Sequence, residues 1–239
     1  MSKIYVFADW AGVPPEQAIG VIHIDQRGRG GEIFSFEFED VFLEEHYGTG
    51  LVLDPDIQLV EGRQYPSNNK TFGMVADSSP DRWGRLLMDR RLMLDQREGR
   101  VSAAYTLRES DYLLGVHDAY RSGALRFKRS LDGPFLDDRD HQGAPPLTKI
   151  GNLIAASEQM ERDEDIPDTA VRELIAPGGS LGGARPKALV SALDGEVMIA
   201  KFPSVNDRHD VGAWEFVVAT LARGCGIDIA ECSAQRFAS

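Results

Sequence analysis

The sequence predicts an α+β fold in two domains: a small, mostly β amino-terminal domain with helices, followed by an antiparallel sheet with flanking helices. Three observations predict this fold class. Short β-branched and aromatic runs open the chain, segments with helical spacing of apolar residues follow, and a second pair of strand-like runs lies beyond residue 186. The 239 residues exceed the roughly 150 of a typical domain, so one large domain or two small ones fit the length.

Composition and charge argue against several classes of protein. Apolar residues make up 42% and charged residues 27%, as in a globular protein with a sizeable core. The net charge of −12 opposes direct binding to nucleic acid or to an anionic membrane.

No apolar run approaches the roughly 18 residues of a membrane span, and Asp9 comes too early for a signal peptide, so we expect a cytoplasmic protein. Cys225 and Cys232 lack zinc-type spacing, which argues against a disulfide scaffold or a metal site.

The domain boundary is predicted just after residue 130, which gives domains of 1–130 and 131–239. Residues 131–146 are rich in Gly, Pro and Asp and have little periodic apolar content, as loops between domains do. Residues 131–173 also hold eleven acidic and only four basic residues. We interpret this acidic run as a solvated surface rather than a cation site.

Strands are predicted in the first domain over residues 4–7, 19–24, 33–38 and 124–127. Residues 26–31 place two arginines among glycines and are interpreted as a hairpin loop, although such a loop could also hold a phosphate.

A helix is predicted between these strands, with Ser79 as its N-cap, Pro80 at its first position and Gly99 just past its end. Its apolar face is expected to carry Trp83, Leu86, Leu87, Met93 and Leu94. The opposite face mixes arginines with acids, as solvated helix faces do, and residues 112–114 indicate a short amphipathic stretch.

The second domain is predicted to begin with two helices, one marked by apolar residues from 147 to 160 and a shorter one from 171 to 175. Strand-like residues 187–193 and 196–202 then flank Asp194-Gly195, a preferred two-residue hairpin turn. Asp207 or Asp210 is expected to cap a final helix, whose apolar face carries Trp214, Val217, Val218 and Leu221. The tryptophans are expected to pack in the core.

A glycine-rich loop at residues 177–187 is the most informative segment. Its glycines expose backbone N–H groups that could cradle a phosphate around Ser180. The loop is not a Walker A motif, because Ala184 stands where the lysine must be. Taken alone, it is as compatible with a structural turn as with a phosphate site.

The residues beyond the loop favour phosphate binding. Lys201 interrupts an apolar run at the end of the second hairpin strand, on the side expected to be buried, and Glu215 lies at the edge of the apolar face of the last helix. Glycine loop, hairpin, lysine and helix with glutamate is the order of parts in the amino-terminal lobe of a protein kinase. The alternative is an exposed edge-strand Lys201 with a solvated Glu215.

Several segments of the sequence resemble the HipA family of serine/threonine kinase toxins. In the second domain the similar segments are residues 179–187, residues 199–204 and Trp214-Glu215. In the first domain they are residues 72–85 and 122–127. The resemblance runs from about residue 19 to the end of the chain and identifies the second domain as a kinase-like amino-terminal lobe.

This resemblance implies specific roles for the site residues. The residues expected to bind ATP are Gly179, Ser180, Leu181, Gly182, Gly183 and Lys201. Ser180 matches the loop serine that family members autophosphorylate, Glu215 matches the partner of the lysine, and the role of Lys187 stays open. The implied cofactors are ATP and Mg²⁺. The implied partners are a small DNA-binding antitoxin of the HipB type and a protein substrate, such as an aminoacyl-tRNA synthetase.

The sequence departs from the family in its catalytic residues. Phosphoryl transfer needs an aspartate that orients the acceptor hydroxyl, and further side chains that hold Mg²⁺. Only 24 residues follow Glu215, and they contain no such motif. We therefore expect a fragment of a longer kinase or one product of a split gene, with no catalytic base, no metal ligands and no phosphotransfer by this chain alone.

Two other functions are compatible with parts of the sequence. Residues 178–182 spell Gly-x-Ser-x-Gly, the nucleophile elbow of hydrolases, with His209 as the one downstream histidine. The elbow requires a strand before it and a helix after it, and the predicted order here is the reverse. The more serious alternative is a non-catalytic module that docks an antitoxin or a separately encoded kinase half.

Overall fold

The computed structural model describes residues 2–10, 12–28, 31–67, 71–118, 121, 123–136, 149–162, 169–170, 174, 182–192 and 194–237. These residues contain a four-stranded antiparallel sheet, a two-stranded antiparallel sheet and six helices, so the predicted α+β class is confirmed. The chain divides into two compact units, described separately below. The first unit is Met1–His141 with Gly179–Gly182, and the second is Gln142–Gly178 with Gly183–Ser239.

The first unit is built on a four-stranded antiparallel sheet. Its strands are β1 Ser2–Ala8, β2 Ala18–Arg27, β3 Gly31–Phe38 and β4 Leu125–Lys128, in the order β3-β2-β1-β4. All four predicted strands are present. The hairpin loop predicted over residues 26–31 is shorter, because Gln26 pairs with Glu32 and Arg27 with Gly31, so both strands extend into it.

One face of this sheet forms the core of the first unit. Side chains alternate between the two faces of a strand, and the core face carries mainly branched and aromatic residues. The core cluster takes from the four strands Ile4, Val6, Ala8, Ile19, Ile22, Ile24, Phe34, Phe36, Phe38 and Phe127. Gly20 has to be a glycine, because a Cβ atom there would overlap the Phe36 ring and the Glu37 carbonyl.

Four helices accompany the sheet: α1 Asp40–His46, α2 Gly73–Asp77, α3 Arg82–Arg97 and α4 Glu109–Leu114. The N-cap predicted for α3 is wrong. Asp81 takes that position and accepts a 2.7 Å hydrogen bond from the Arg82 N–H, while the Ser79 hydroxyl donates to the Val75 carbonyl. Gly99 lies just past the end of α3, as predicted, and its φ is +72°.

The second unit contains helix α5, Ile150–Glu161, and a hairpin of β5, Lys187–Ser191, and β6, Val197–Lys201. The hairpin is confirmed, but its turn is longer than predicted. The strands end at Ser191 and Val197, and beyond them the N–H of Ala192 donates to the carbonyl of Glu196, so this hydrogen bond encloses a loop of three residues instead of two. Gly195 adopts φ +87°, the left-handed conformation that three-residue loops require near their end. Most of the helix predicted over residues 171–175 lies outside the described residues.

Helix α6, Val211–Gly224, completes the second unit. Asp210 is its N-cap and accepts a 2.9 Å hydrogen bond from the Ala213 N–H, which settles the choice between Asp207 and Asp210. Its apolar residues Trp214, Val217, Val218 and Leu221 share one face at helical spacing and are all exposed; we call them the α6 apolar stripe. The expectation that Trp214 packs in the core is therefore wrong, whereas Trp83 on α3 is buried.

Two further properties concern the whole described part of the chain. None of its helices combines the length and the apolar character needed to cross a membrane. Cys225 and Cys232 are free and exposed.

Candidate functional site

The β5–β6 hairpin places two lysines opposite each other. Lys187, the first residue of β5, pairs with Lys201, the last residue of β6. Side chains directly opposite in an antiparallel pair share a face, with Cβ atoms about 4.5–5.5 Å apart, and two like charges in this arrangement repel each other. The hairpin therefore brings two ammonium groups to one face, where each needs a negative or polar partner.

A carboxylate from α6 reaches one of these lysines. The Lys201 ammonium forms a hydrogen-bonded ion pair with Oε1 of Glu215. The two side chains remain 47% and 48% exposed, so the ion pair is open to solvent and to a ligand. The prediction that Lys201 lies on a buried side of its strand is therefore wrong. Lys201 shares a face of β6 with Val197 and Ile199, and all three side chains are exposed.

The second lysine lies against residues 182–186, the described part of the glycine-rich loop, which we call the glycine turn. Lys187 is only 8% exposed, and a Cβ atom added to Gly183 would lie 2.5 Å from the Lys187 ammonium nitrogen. Gly183 also has φ +94°, a conformation that other residues rarely adopt. Residue 183 therefore has to be glycine for two reasons: its backbone conformation and the close approach of a buried cation.

An arginine of the same turn forms a bidentate ion pair. The guanidinium nitrogens Nη1 and Nη2 of Arg185 donate to Oδ1 and Oδ2 of Asp207 at 2.7 and 2.6 Å. This contact is the main reason why the pKa of Asp207 falls to about 2 and the pKa of Arg185 rises. Two parallel charge-assisted hydrogen bonds hold both side chains in one orientation.

The same carboxylate organises the connection between β6 and α6. Oδ2 of Asp207 accepts the Ser204 N–H at 3.0 Å, and the Asp207 N–H donates to the Ser204 carbonyl at 3.0 Å. At the end of α5, Glu161 accepts the Ser204 hydroxyl at 2.8 Å and the Val205 N–H at 2.9 Å. A continuous chain of polar contacts thus runs from Arg185 to α5.

Not all residues predicted for the site fall in the described part of the chain. Gly179, Ser180 and Leu181 lie outside it, and Gly182 is described as exposed. Among the described ones, the second unit brings Lys201 to Glu215 and Lys187 to Gly183. For the hydrolase alternative, Ser180 is again outside the described residues, and His209 is exposed.

Sequence reasoning missed three residues of this arrangement: Arg185, Asp207 and Glu161. A weak signal was present for Asp207, because Ser204-x-x-Asp207 has the spacing of a turn closed by its own side chain. Glu161 carries no local signal, since it contacts residues more than 40 positions away along the chain.

The arrangement fits an anion better than a metal ion. The Lys187 ammonium lies beside the glycine turn and Lys201 lies opposite Lys187 on the hairpin, and ammonium groups near a glycine turn complement phosphate oxygens. The described residues contain no group of three or more His, Cys, Asp or Glu side chains that could hold a metal ion.

A comparison with protein families points to the same region. Residues 179–239 match the family model described as the HipA-like C-terminal domain. No match was found among curated proteins or among solved structures. The match does not extend to the first 178 residues, so their resemblance to the family stays a prediction. Over its last quarter, the chain is similar to the HipA-like C-terminal domain, which supports a relationship to the HipA family.

Proposed function

We propose that the second unit supplies the phosphate-contacting hairpin of a HipA-like serine/threonine protein kinase. The contact between Lys201 and Glu215 is the observation that carries this proposal. In protein kinases, a strand lysine that contacts ATP phosphates is held by a glutamate from the following helix. Here Lys201 on β6 and Glu215 on α6 stand in the same relation, and the family match covers both residues.

The surroundings of the ion pair support phosphate binding. Glu215 fixes the position of the Lys201 ammonium without burying it, so the lysine can still face a ligand. Lys187 adds a second positive charge across the hairpin, next to the glycine turn. A bound phosphate would be attracted by both ammonium groups, which is an electrostatic reason for the site to accept a polyanion.

The wider assignment follows from the resemblance. We propose that ATP with Mg²⁺ is the nucleotide, that residues 179–183 lie over its phosphates, and that Ser180 is a site of autophosphorylation. The proposed setting is a cytoplasmic toxin–antitoxin module, with a small DNA-binding antitoxin of the HipB type. An aminoacyl-tRNA synthetase is the proposed class of substrate. Any contact with DNA would then come through the antitoxin.

Calorimetric titration of the full chain with ATP and Mg²⁺ tests the nucleotide site. The unsubstituted chain should bind, and Lys201→Met should weaken binding by on the order of tenfold, because a charge-assisted hydrogen bond to phosphate is lost. Lys3→Met is a matched control, since Lys3 is an exposed lysine of the first unit. No heat from the unsubstituted chain, or equal affinities for the two variants, would count against the proposal.

Phosphotransfer is expected to be absent from this chain by itself. The given residues beyond Glu215 contain none of the aspartate motifs that orient an acceptor hydroxyl and hold Mg²⁺ in a kinase. Incubation of the purified chain with γ-labelled ATP should leave Ser180 unlabelled. Incorporation of label above that of a Lys201→Met control would contradict this expectation.

A second candidate function, a non-catalytic docking module, is favoured by the α6 apolar stripe. Four large apolar side chains on one exposed helix face are unusual unless another protein covers them. The partner would be an antitoxin or a separately encoded kinase half. Leu221→Asp should abolish such an association, while Mg·ATP binding should be absent in this case. Calorimetry therefore separates the two functions.

A further inference from the structure

An ion pair within the protein, which we call the clamp, joins the glycine turn to the rest of the second unit. Neither of its residues is among those proposed to contact the nucleotide. The clamp consists of Arg185 and Asp207, whose bidentate hydrogen bonds are 2.7 and 2.6 Å long. Arg185 comes two residues after Gly183 in sequence, and Asp207 lies beyond the end of β6. The pair therefore connects the turn before β5 to the segment after β6.

The clamp extends a backbone ladder that already joins these segments. The Phe202 N–H donates to the Pro186 carbonyl at 2.9 Å, one residue beyond the pairing of Lys187 with Lys201. Pro186 also restricts Arg185 to extended conformations, because the residue before a proline is sterically kept out of the helical region. The turn therefore enters β5 in a fixed direction, and the Arg185 side chain reaches Asp207.

Asp207 is itself held in place. It accepts the Ser204 N–H, and Ser204 is bonded through its hydroxyl to Glu161 at the end of α5. Helix α5 buries Ile150, Leu153, Ala156 and Met160, so this anchor belongs to the packed part of the unit. The positive charge of Arg185 is paired within the protein, because both terminal nitrogens donate to the carboxylate of Asp207.

We propose that Arg185 and Asp207 are positioning residues, which hold the glycine turn in its phosphate-binding geometry before any ligand arrives. This inference rests on the proposed function of the site. A glycine-rich turn is conformationally free when unrestrained, and fixing it on binding costs affinity. The clamp reduces this cost in advance.

Charge-removing variants test the clamp, because they separate positioning from direct contact. Arg185→Gln and Asp207→Asn should each weaken Mg·ATP binding by on the order of tenfold, and the double variant should be no weaker than either single one. Asp207→Asn is decisive: removing a negative charge near a polyanion should tighten binding if Asp207 acted through charge alone. Arg185→Lys should bind Mg·ATP more tightly than Arg185→Gln but less tightly than the unsubstituted chain, since lysine keeps the charge but cannot form two parallel hydrogen bonds.

A second ion pair of the chain provides a matched control. Arg85 donates to Glu109 at 2.9 and 2.7 Å in the first unit, with the same bidentate geometry. Arg85→Gln should leave Mg·ATP affinity unchanged. Amide hydrogen exchange without nucleotide gives an independent readout: Gly183 and Ala184 should exchange faster in Arg185→Gln and Asp207→Asn, and at the unsubstituted rate in Arg85→Gln.

Nucleotide binding by the chain and the positioning role of the clamp can fail separately. If the unsubstituted chain does not bind Mg·ATP, the proposed function fails and the positioning role fails with it. If the chain binds, Lys201→Met weakens binding, and Asp207→Asn leaves affinity equal or higher, only the clamp is overturned. Unchanged exchange at Gly183 and Ala184 in both clamp variants would also overturn it. Equal losses in both single variants, with faster exchange at the turn, would establish it.

Discussion

Similar apolar residues are buried in the first unit of the chain and exposed in the second. In the first unit, Trp83 is 1% exposed and the aromatic residues of β3 lie in the core. In the second, Trp214 is 61% exposed and occupies the α6 apolar stripe with three aliphatic neighbours. Both tryptophans lie on amphipathic helices, α3 and α6. Residue type and helical spacing are therefore alike, and only the presence of a packing partner differs.

Charged residues show the same contrast. In the first unit, Asp54 is buried and accepts backbone N–H groups of Asp56 and Met74, so its role is structural. In the second unit, the ion pair of Lys201 and Glu215 is half-exposed. A buried and saturated carboxylate stabilises the fold, whereas an open ion pair is able to meet a ligand. The functions proposed above depend on the open ion pair of the second unit.

The largest expected effect comes from truncating the two tryptophans. Trp83→Ala should lower the free energy of unfolding by about 3–5 kcal/mol, because it leaves a large cavity in a packed environment. Trp214→Ala should change it by no more than about 0.5 kcal/mol, as expected for an exposed position. Urea unfolding followed by circular dichroism measures both. Equal losses would mean that the α6 apolar stripe is covered in solution, for instance in a dimer, and the contrast between the units would disappear.

A smaller effect is expected for glycine substitutions on the hairpin. Gly183→Ala and Gly195→Ala both force alanine into a positive φ, at a cost of about 1 kcal/mol. Gly183→Ala must also displace the Lys187 ammonium, whereas a Cβ atom at Gly195 meets nothing within 4 Å. Gly183→Ala should therefore be the more destabilising of the two in thermal unfolding, and it alone should weaken Mg·ATP binding. Similar behaviour of the two variants would show that the approach of Lys187 to the turn is unimportant.

The smallest expected effect is a difference in acid sensitivity between the units. In the first unit, burial is the main cause that lowers the pKa of His23, and the nearby Arg63 adds to it. A lowered folded-state pKa means that the unfolded chain takes up the proton first, so this contribution is complete above about pH 6.5 and is lost as the pH falls below it. The pKa of Asp207 is about 2, so its contribution is complete above about pH 4 and is lost only as the pH falls towards 2.

Residue-resolved hydrogen exchange between pH 7 and pH 4 measures this difference, after correction for the intrinsic pH dependence of exchange. Protection in β2 and β3 should decrease below pH 6.5, while protection around Ser204 should persist. His23→Gln removes the group that titrates and should flatten the pH profile of the first unit. A parallel decrease of protection in both units would contradict the assignment of separate pH windows.

Much of the fold is predictable from the sequence, because it depends on local patterns. Alternating apolar residues predict β3, and the apolar spacing and following glycine predict α3. The turn between β5 and β6 is harder, because Asp194-Gly195 suits a two-residue turn and also the end of a three-residue loop. The position of the α3 cap depends on which of several polar residues reaches a free N–H, which tertiary contacts decide.

The candidate site is less predictable, for physical reasons. The order of glycine turn, hairpin and helix predicts that Glu215 can reach β6, and the two side chains are in contact. The pairing of Arg185 with Asp207 joins residues 22 positions apart through side chains alone, so no periodicity reveals it. The exposure of Trp214 is not predictable either, because amphipathic spacing identifies the apolar face of a helix but not what covers that face.

Labelling with an acyl-phosphate derivative of ATP tests the central claim most directly. Such a probe transfers its acyl group to a lysine amine next to the bound phosphates, with formation of an amide and release of the nucleotide. The account predicts modification of Lys201 or Lys187 in the full chain, prevented by excess ATP, with Lys3 unmodified or modified without competition. Modification spread over surface lysines and insensitive to ATP would contradict the proposal that this hairpin contacts nucleotide phosphates.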